Sequence, residues 1–324
     1  MKATLSTADY LRNSDRFINS LDFSDKNNFV ISSHPKWLNV HPAFLTLLVC
    51  MAMQAGKENT KFHNLTASSG HYLDRMGLFN FTSQPSPYTI KKHEEAGRFI
   101  PLTIIKNSTE QSKFITDMIP LLHLPADKTV AIKYTIGELV RNVIEHSHSD
   151  GGAIVAAQYY KKSNTIRIGI CDTGIGIRKS MSRFWGSHAD TDINAIMWAL
   201  MPGISGTTNR EGGTEENAGA GLFFIKSIAQ VARNYFMIYS GSGIYKLLLH
   251  DKRIMNPKLH PNPEDDEHSK RNDAPYFQGT LVAIDLSLND GENFTKLLSN
   301  IREAYGKAVR ERKKARYKQP RFIQ

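Results

Sequence analysis

The sequence predicts an α/β protein in two parts: a small α/β layer, then a larger two-layer α/β sandwich. Three observations predict this. Up to residue 81 the apolar runs alternate strand, helix, strand, helix, the order that builds a parallel sheet with helices laid on it. Over 99–290, short strand-like runs alternate with stretches of helical period. Between the two lies a linker, 82–98, which opens on Thr82-Ser-Gln-Pro-Ser-Pro. A length of 324 residues suits two domains, and 40% hydrophobic residues suffice for their cores.

In the first part, Asn28-Phe-Val-Ile-Ser reads as a strand. Pro42-Ala-Phe-Leu-Thr-Leu-Leu-Val-Cys-Met-Ala-Met-Gln-Ala reads as a buried helix stopped by Gly56. Thr60-Lys-Phe-His-Asn-Leu is a second strand, and residues 68–79 form a short helix closing near Gly77. In the second part, Phe99-Ile-Pro-Leu-Thr-Ile-Ile is a strand, and an amphipathic stretch follows from Ser108 to Leu122. Pro125 then opens a long helix in which Ile132, Ile136, Leu139, Val140 and Val143 share the core face. Strands follow at 153–160 and 165–171, joined by a hairpin at Lys161-Lys-Ser-Asn. The stretch 178–218 is long and weakly patterned, with a helix near Asn194. Another helix spans 221–233, and strands are expected at 235–239, 245–250 and 280–286. The polar, Pro-rich insert 257–275 reads as an exposed loop. These helices are expected on one face of a mixed sheet.

The formal charge is +10, but it is uneven. Residues 302–321 hold nine Lys/Arg and two acidic side chains, leaving +3 for the rest of the chain. The basicity therefore belongs to the tail, 291–324. Phe294, Leu297, Leu298, Ile301, Tyr305 and Ala308 form an apolar stripe on a helix there, expected to dock on the preceding domain or on a second subunit of a homodimer. The charge beyond it is a solvated end or a nucleic-acid contact. No apolar run is long enough for a membrane span, and no signal peptide is evident. Cys50 and Cys171 make no disulfide framework, which fits a reducing cytoplasm.

Three motifs carry chemistry. The first is Glu138-Leu-Val-Arg-Asn142-Val-Ile-Glu-His146 on the long helix. Glu138 and Asn142 are four apart, so they project together. The amide oxygen of Asn142 suits magnesium, and the carboxylate of Glu138 suits a proton-accepting role toward water. The second is Asp172-Thr-Gly174-Ile-Gly176, an acid at the end of an apolar strand with two glycines that let the backbone approach a ligand. The third is Gly219-Ala-Gly221-Leu222, a glycine pair opening a helix whose first amides attract anions. Thr280 follows on a late strand. There is no P-loop. A zinc reading of His146 and His148 fails, because residues two apart on a helix diverge. The single Asp-Thr-Gly, in a chain that is not all-β, does not make an aspartic protease.

Order, spacing and context of these motifs resemble the GHKL ATPases, which group gyrase, a heat-shock chaperone, histidine kinases and MutL. The resemblance covers Phe99 to Leu288. It implies a Bergerat-type ATP-binding sandwich with a mobile lid. It makes Glu138 the general base and Asn142 the magnesium ligand. It sets Asp172 opposite the adenine amino group, with Thr280 supporting it through water. Gly219, Gly221 and Leu222 belong to the phosphate end, His146 completes the helix motif, and Arg210 is either a γ-phosphate contact or an exposed arginine of the lid. Residues 1–81 are similar to the STAS-like domains of anti-sigma antagonists, which implies a regulatory module that meets a protein partner. ATP and magnesium are thus the expected ligands. Hydrolysis, phosphotransfer and sensing without chemistry all stay open.

Overall fold

The computed structural model describes residues 1–7, 9–88, 98–117, 119–124, 126–208, 220–248, 259–288 and 294–317. Strands β1 (Lys2–Leu5), β2 (Phe29–Ser33) and β3 (Thr60–His63) form a parallel three-stranded sheet, as the strand–helix alternation predicts. β1 and the short helix α1 (Ser14–Asn19) were not expected from the sequence; neither is long enough to show a period. Helix α2 (Pro42–Ala55) joins β2 to β3 and buries 12 of its 14 residues. A helix apolar all round must be covered all round. The short helix α3 (His71–Arg75) closes this segment.

What covers the far side of α2 is the second sheet. Seven strands, β4 (Phe99–Ile105), β5 (Ala153–Tyr160), β6 (Thr165–Asp172), β7 (Phe236–Gly241), β8 (Gly243–Leu247), β9 (His268–Arg271) and β10 (Phe277–Ser287), run in the order β4-β5-β6-β10-β7-β8-β9. Every pairing is antiparallel, which corrects the expected mixed sheet. Strands buried on both faces read as continuous apolar runs whatever their direction, so the sequence pattern was silent on this point. Alternate residues divide between two cores. Ile154, Ala156, Cys171, Tyr239 and Leu281 join the core around α2. Val155, Ile168, Ile170, Ile238 and Val282 join the opposite core. Helices thus lie on both faces, because the first segment supplies the second cover. Gly169 on β6 permits it: a Cβ there would overlap the Ala43 backbone of α2.

Polar contacts mark the same junction. The His41 side chain caps α2, accepting from the Ala43 amide at 3.1 Å through Nδ1. That leaves Nε2–H to donate to Asp285 on β10, 2.9 Å away. Burial lowers the His41 pKa and favours this neutral form. Arg167 on β6 lies between the rings of Tyr10 and Tyr160, at 4.6 and 4.3 Å.

The opposite face carries α4 (Ser108–Asp117), α5 (Ala126–His146), α6 (Gly176–Trp185), α7 (Asp192–Ala199), α8 (Gly221–Val231) and α9 (Phe294–Tyr317). The amphipathic stripe of α9 docks as expected on the same chain. Ile301 is buried, and Tyr305 meets Phe223 and Phe224 at 6.2 and 5.9 Å. Lys307, Arg310 and Lys314 are exposed, whereas Arg312 donates to the Pro202 carbonyl. The insert was expected to be an exposed loop, but its described part, 259–275, contributes β9 and Asp266. Asp266 pairs with the buried Lys226 of α8 at 2.6 Å and accepts from the Tyr245 hydroxyl at 3.0 Å. Polarity misled the reading because the insert anchors itself mainly by the Lys226–Asp266 ion pair and the pairing of β9 with β8, with only a few apolar side chains such as Leu259 and Ala274 reaching the cores. No helix among the described residues is long and apolar enough to cross a membrane.

Because α2 is shared, residues 1–81 are not removable. A chain starting at residue 82 exposes one whole face of the seven-stranded sheet. It is expected to lose the cooperative thermal transition of the intact protein in circular dichroism. A truncated chain that melts cooperatively at an unchanged temperature would contradict the shared core.

Candidate functional site

One cavity of about 280 Å³ opens between α5, α6, α8 and the ends of β6 and β10. Asn142, His146, Asp172, Gly176, Gly221, Leu222 and Thr280 line it. Three stretches separated by tens of residues in sequence therefore meet at one place. Glu138 stands at its edge, facing the start of α8: a Cβ on Gly221 would lie 3.2 Å from Glu138 Oε2 and 3.1 Å from Asn142 Nδ2. Arg210 and Gly219 lie outside the described residues. Gly174 turns away from the cavity. A Cβ there would overlap the Ser147 backbone, so the fold needs this glycine for the close approach of the end of α5 to the loop after β6.

Asp172 forms the floor. It ends β6 directly opposite Thr280 in the antiparallel register with β10. Its Oδ1 accepts from the Gly174 amide at 2.7 Å. Burial drives its pKa from an ordinary 3.8 up to about 7, against the opposing pull of the Gly174 and Thr280 amides. The walls above it are apolar, with Leu139, Val143, Ile170, Ile177, Met181 and Val282. A slot of this kind accepts a flat apolar ring that offers an N–H to the carboxylate.

The other end is polar. The first turn of α8 begins after Ala220, which provides no side-chain cap, so among the described residues no side chain covers its leading amides, the groups that attract an anion. Glu138 and Asn142 face that turn from α5, and Asn142 Nδ2 is buried with no hydrogen-bond partner among the described residues. Burial raises the Glu138 pKa, while Arg141, 2.6 Å from its Oε2, pulls it down. Burial lowers the pKa of His146 and favours neutral imidazole.

Several residues of the site escaped the sequence reading. Ser240 on β7 accepts from the Ile177 amide at 3.0 Å and donates to the Gly279 carbonyl at 2.7 Å, tying α6 to the floor. A lone serine in an apolar strand carries no signal of this. Gly176 (φ +77°) needs its glycine to pass Ser240. Arg141 was legible: it is three residues from Glu138 on one helix, the spacing of an ion pair. The stretch beyond Gly176, weakly patterned in sequence, holds α6 and α7 around a small core of Met181, Trp185, Ala195 and Ile204, and Trp185 donates to the Ser205 carbonyl at 2.8 Å. No family model matches this chain, and a search of curated proteins finds no relative.

The Asp172 shift has a sign that can be tested. Its folded pKa is raised, so its stabilising contribution is complete below about pH 4 and is lost as pH rises through about 7. Above that range the buried charge withholds roughly 4 kcal/mol by the linkage relation, an order-of-magnitude figure. Asp172→Asn keeps one oxygen for the Gly174 amide and carries no charge. The variant is expected to melt several degrees above the parent at pH 8, and the gap to close toward pH 4.5. An equal gap at both values would show that ionisation of Asp172 is not the cause.

Proposed function

We propose that the cavity binds ATP with its magnesium and that the protein is an ATP-driven switch of the GHKL type. In this reading the seven-stranded sheet and its α5–α8 face form a Bergerat-type sandwich. One observation carries the proposal: a buried acceptor at the end of an apolar slot and an uncapped helix start beside Glu138 and Asn142 occupy two ends of one cavity. A nucleotide is apolar and flat at one end and anionic at the other. The adenine amino group donates to Asp172, and the phosphates run toward Gly221.

Among the described residues no cluster of three His, Cys, Asp or Glu forms a cage for a metal. Asn142 fits a magnesium ion that arrives with the phosphates, because such an ion keeps phosphate oxygens and waters and needs few protein ligands. Held by Asn142 and the phosphates, such an ion would supply neutralisation of the phosphate charge. Glu138, its pKa raised by burial, accepts the proton of the attacking water. Residues 1–81 then form the regulatory side. The outer face of the three-stranded sheet, with Lys2, Thr4, Lys61 and His63 exposed, is where a protein partner docks in this reading.

A second reading, an ATP sensor without turnover, is favoured by the Arg141–Glu138 ion pair, which occupies the base. Glu138→Ala separates the two. Under the enzyme reading, phosphate release falls about 100-fold or more, while the Kd for ATP measured by calorimetry stays close to that of the parent. A parent protein that binds ATP and releases or transfers no phosphate is a sensor.

Asp172→Asn tests the base end. It is expected to weaken ATP binding by about 1–3 kcal/mol, because it sets an amide N–H against the adenine amino group. Affinity in the parent is expected to rise as pH rises through about 7, where Asp172 becomes a pure acceptor. Calorimetry at pH 6 and pH 8 checks both, and an unchanged affinity in the variant removes Asp172 from the ligand.

A further inference from the structure

We infer that Arg141 is a latch on Glu138 in the empty site and a ligand of the γ-phosphate in the filled one, so that this chain arms its own base when ATP, and not ADP, is bound. The inference rests on the nucleotide reading above and deepens it.

The geometry is specific. Arg141 donates from Nη2 to Glu138 Oε2 at 2.6 Å. The same oxygen lies nearest the start of α8, since a Cβ on Gly221 would sit 3.2 Å from it. The guanidinium therefore meets Glu138 at the anion-accepting end of the cavity, and Arg141 is itself part of the cavity lining. An ordinary surface pair between neighbouring turns of a helix faces solvent on both partners. Here the side chain of Glu138 is only 18% exposed, while that of Arg141 is 45% exposed and lies between Glu138 and Glu145. Asn142, the next residue, holds a buried amide N–H without a partner among the described residues, so the polar end as it stands is incomplete.

A carboxylate held by a guanidinium is a poor base, because the lone pair that must take the proton is engaged. The pair is also weakly held, since one partner is exposed and screened. A terminal phosphate brings more negative charge than one carboxylate and matches the planar fork of arginine. When it arrives beside the first turn of α8, the guanidinium moves onto it and Oε2 is released. The water oxygen then bonds to the γ-phosphorus. The bond from that phosphorus to the bridging β–γ oxygen breaks, and ADP leaves with the electron pair. The proton of the water passes to Glu138. ADP offers no γ-phosphate, so with ADP the latch stays closed. Glu145, 3.9 Å from Arg141 Nε, keeps the side chain near the site in either position.

The test uses full-length protein carrying Arg141→Ala or Arg141→Lys, with Mg-ATP and Mg-ADP titrated by calorimetry and hydrolysis followed against pH. In Arg141→Ala, ATP affinity is expected to fall at least tenfold and ADP affinity to stay within about twofold, so the preference for ATP disappears. The acid limb of kcat/KM is expected to move to higher pH, because Glu138 loses the charge that lowers its pKa. Arg141→Lys is expected to recover part of the ATP preference, which a loss of folding would not allow, and unchanged melting curves exclude misfolding. Equal changes in ATP and ADP affinity, or none, would overturn the latch and leave Arg141 a helix-surface ion pair. If the parent protein binds neither nucleotide, the nucleotide reading itself falls, and the latch with it.

Discussion

A seven-stranded sheet with two apolar faces cannot leave either face to water. That constraint organises the chain. Ile154, Ala156, Cys171 and Tyr239 point one way, and Val155, Ile168, Ile170 and Ile238 point the other. The helices that follow β4 in sequence cover only one of these faces. The other is covered by α2, which comes from the segment before the linker and is itself too apolar to be left exposed. Each element is therefore the solution to the other's exposure. At about 25 cal/mol per Å² of apolar surface buried, an interface of this kind outweighs any polar contact across it. The His41–Asp285 bond and the stacked Arg167 then fix the direction of approach rather than supply the affinity.

The cavity departs from this economy. Asp172 is buried at the end of β6 with two backbone amides and, among the described residues, no cation close enough to lower its pKa. A folded protein selected for stability alone would put an amide or an apolar side chain there. Keeping a carboxylate at a position that destabilises it is characteristic of sites that must bind something. The same argument does not extend to Lys226 and Asp266, which are also buried but are paired to each other, with the Tyr245 hydroxyl completing the contact. Buried charge with a partner is architecture; buried charge that lines an open slot without one is a function in waiting.

Much of this was legible in the sequence, for identifiable reasons. α2 was found at its exact bounds, because Pro42 and Gly56 punctuate an unbroken apolar run. β5, β6, α5 and α8 were found because two or more turns or pleats of period are enough to display it. The cavity residues were found because glycines and carboxylates are rare enough in apolar contexts to be informative. What was not legible is what depends on through-space partners. The packing demand on Gly174 has no signal along the chain, since only the fold places Ser147 against it. Ser240 has no neighbour in sequence that betrays its link to Ile177 and Gly279. The insert looked disordered because its anchors, Asp266 to Lys226 and β9 to β8, are made with residues far away along the chain. Strand direction in the large sheet was hidden for the reason that both faces are buried.

β10 explains how a covering helix and a ligand cavity come to share one platform. Its Asp285 accepts a hydrogen bond from His41 Nε2–H on the α2 side, and its Thr280, five residues away, stands opposite Asp172 on the cavity floor. A strand in the middle of a sheet, paired on both edges over most of its length, is a stiff connector. The floor of the cavity is thus fixed by the same hydrogen-bonded ladder that seats the amino-terminal segment. The rim is built differently. α6 and α7 close around their own small core of Met181, Trp185, Ala195 and Ile204, and they meet the sheet through the buried Ile196, Met197 and Leu200 and through polar contacts such as Ile177 to Ser240 and Ser242 to Asp192. The rim is therefore seated on the sheet as well as on its own core, and moving α7 away would expose the buried Ile196 and Leu200. Arg312 of α9 holds the Pro202 carbonyl at the far end of that rim. The floor is thus held by the backbone ladder of the sheet, and the rim by side-chain packing, part of it in its own small core and part against the sheet.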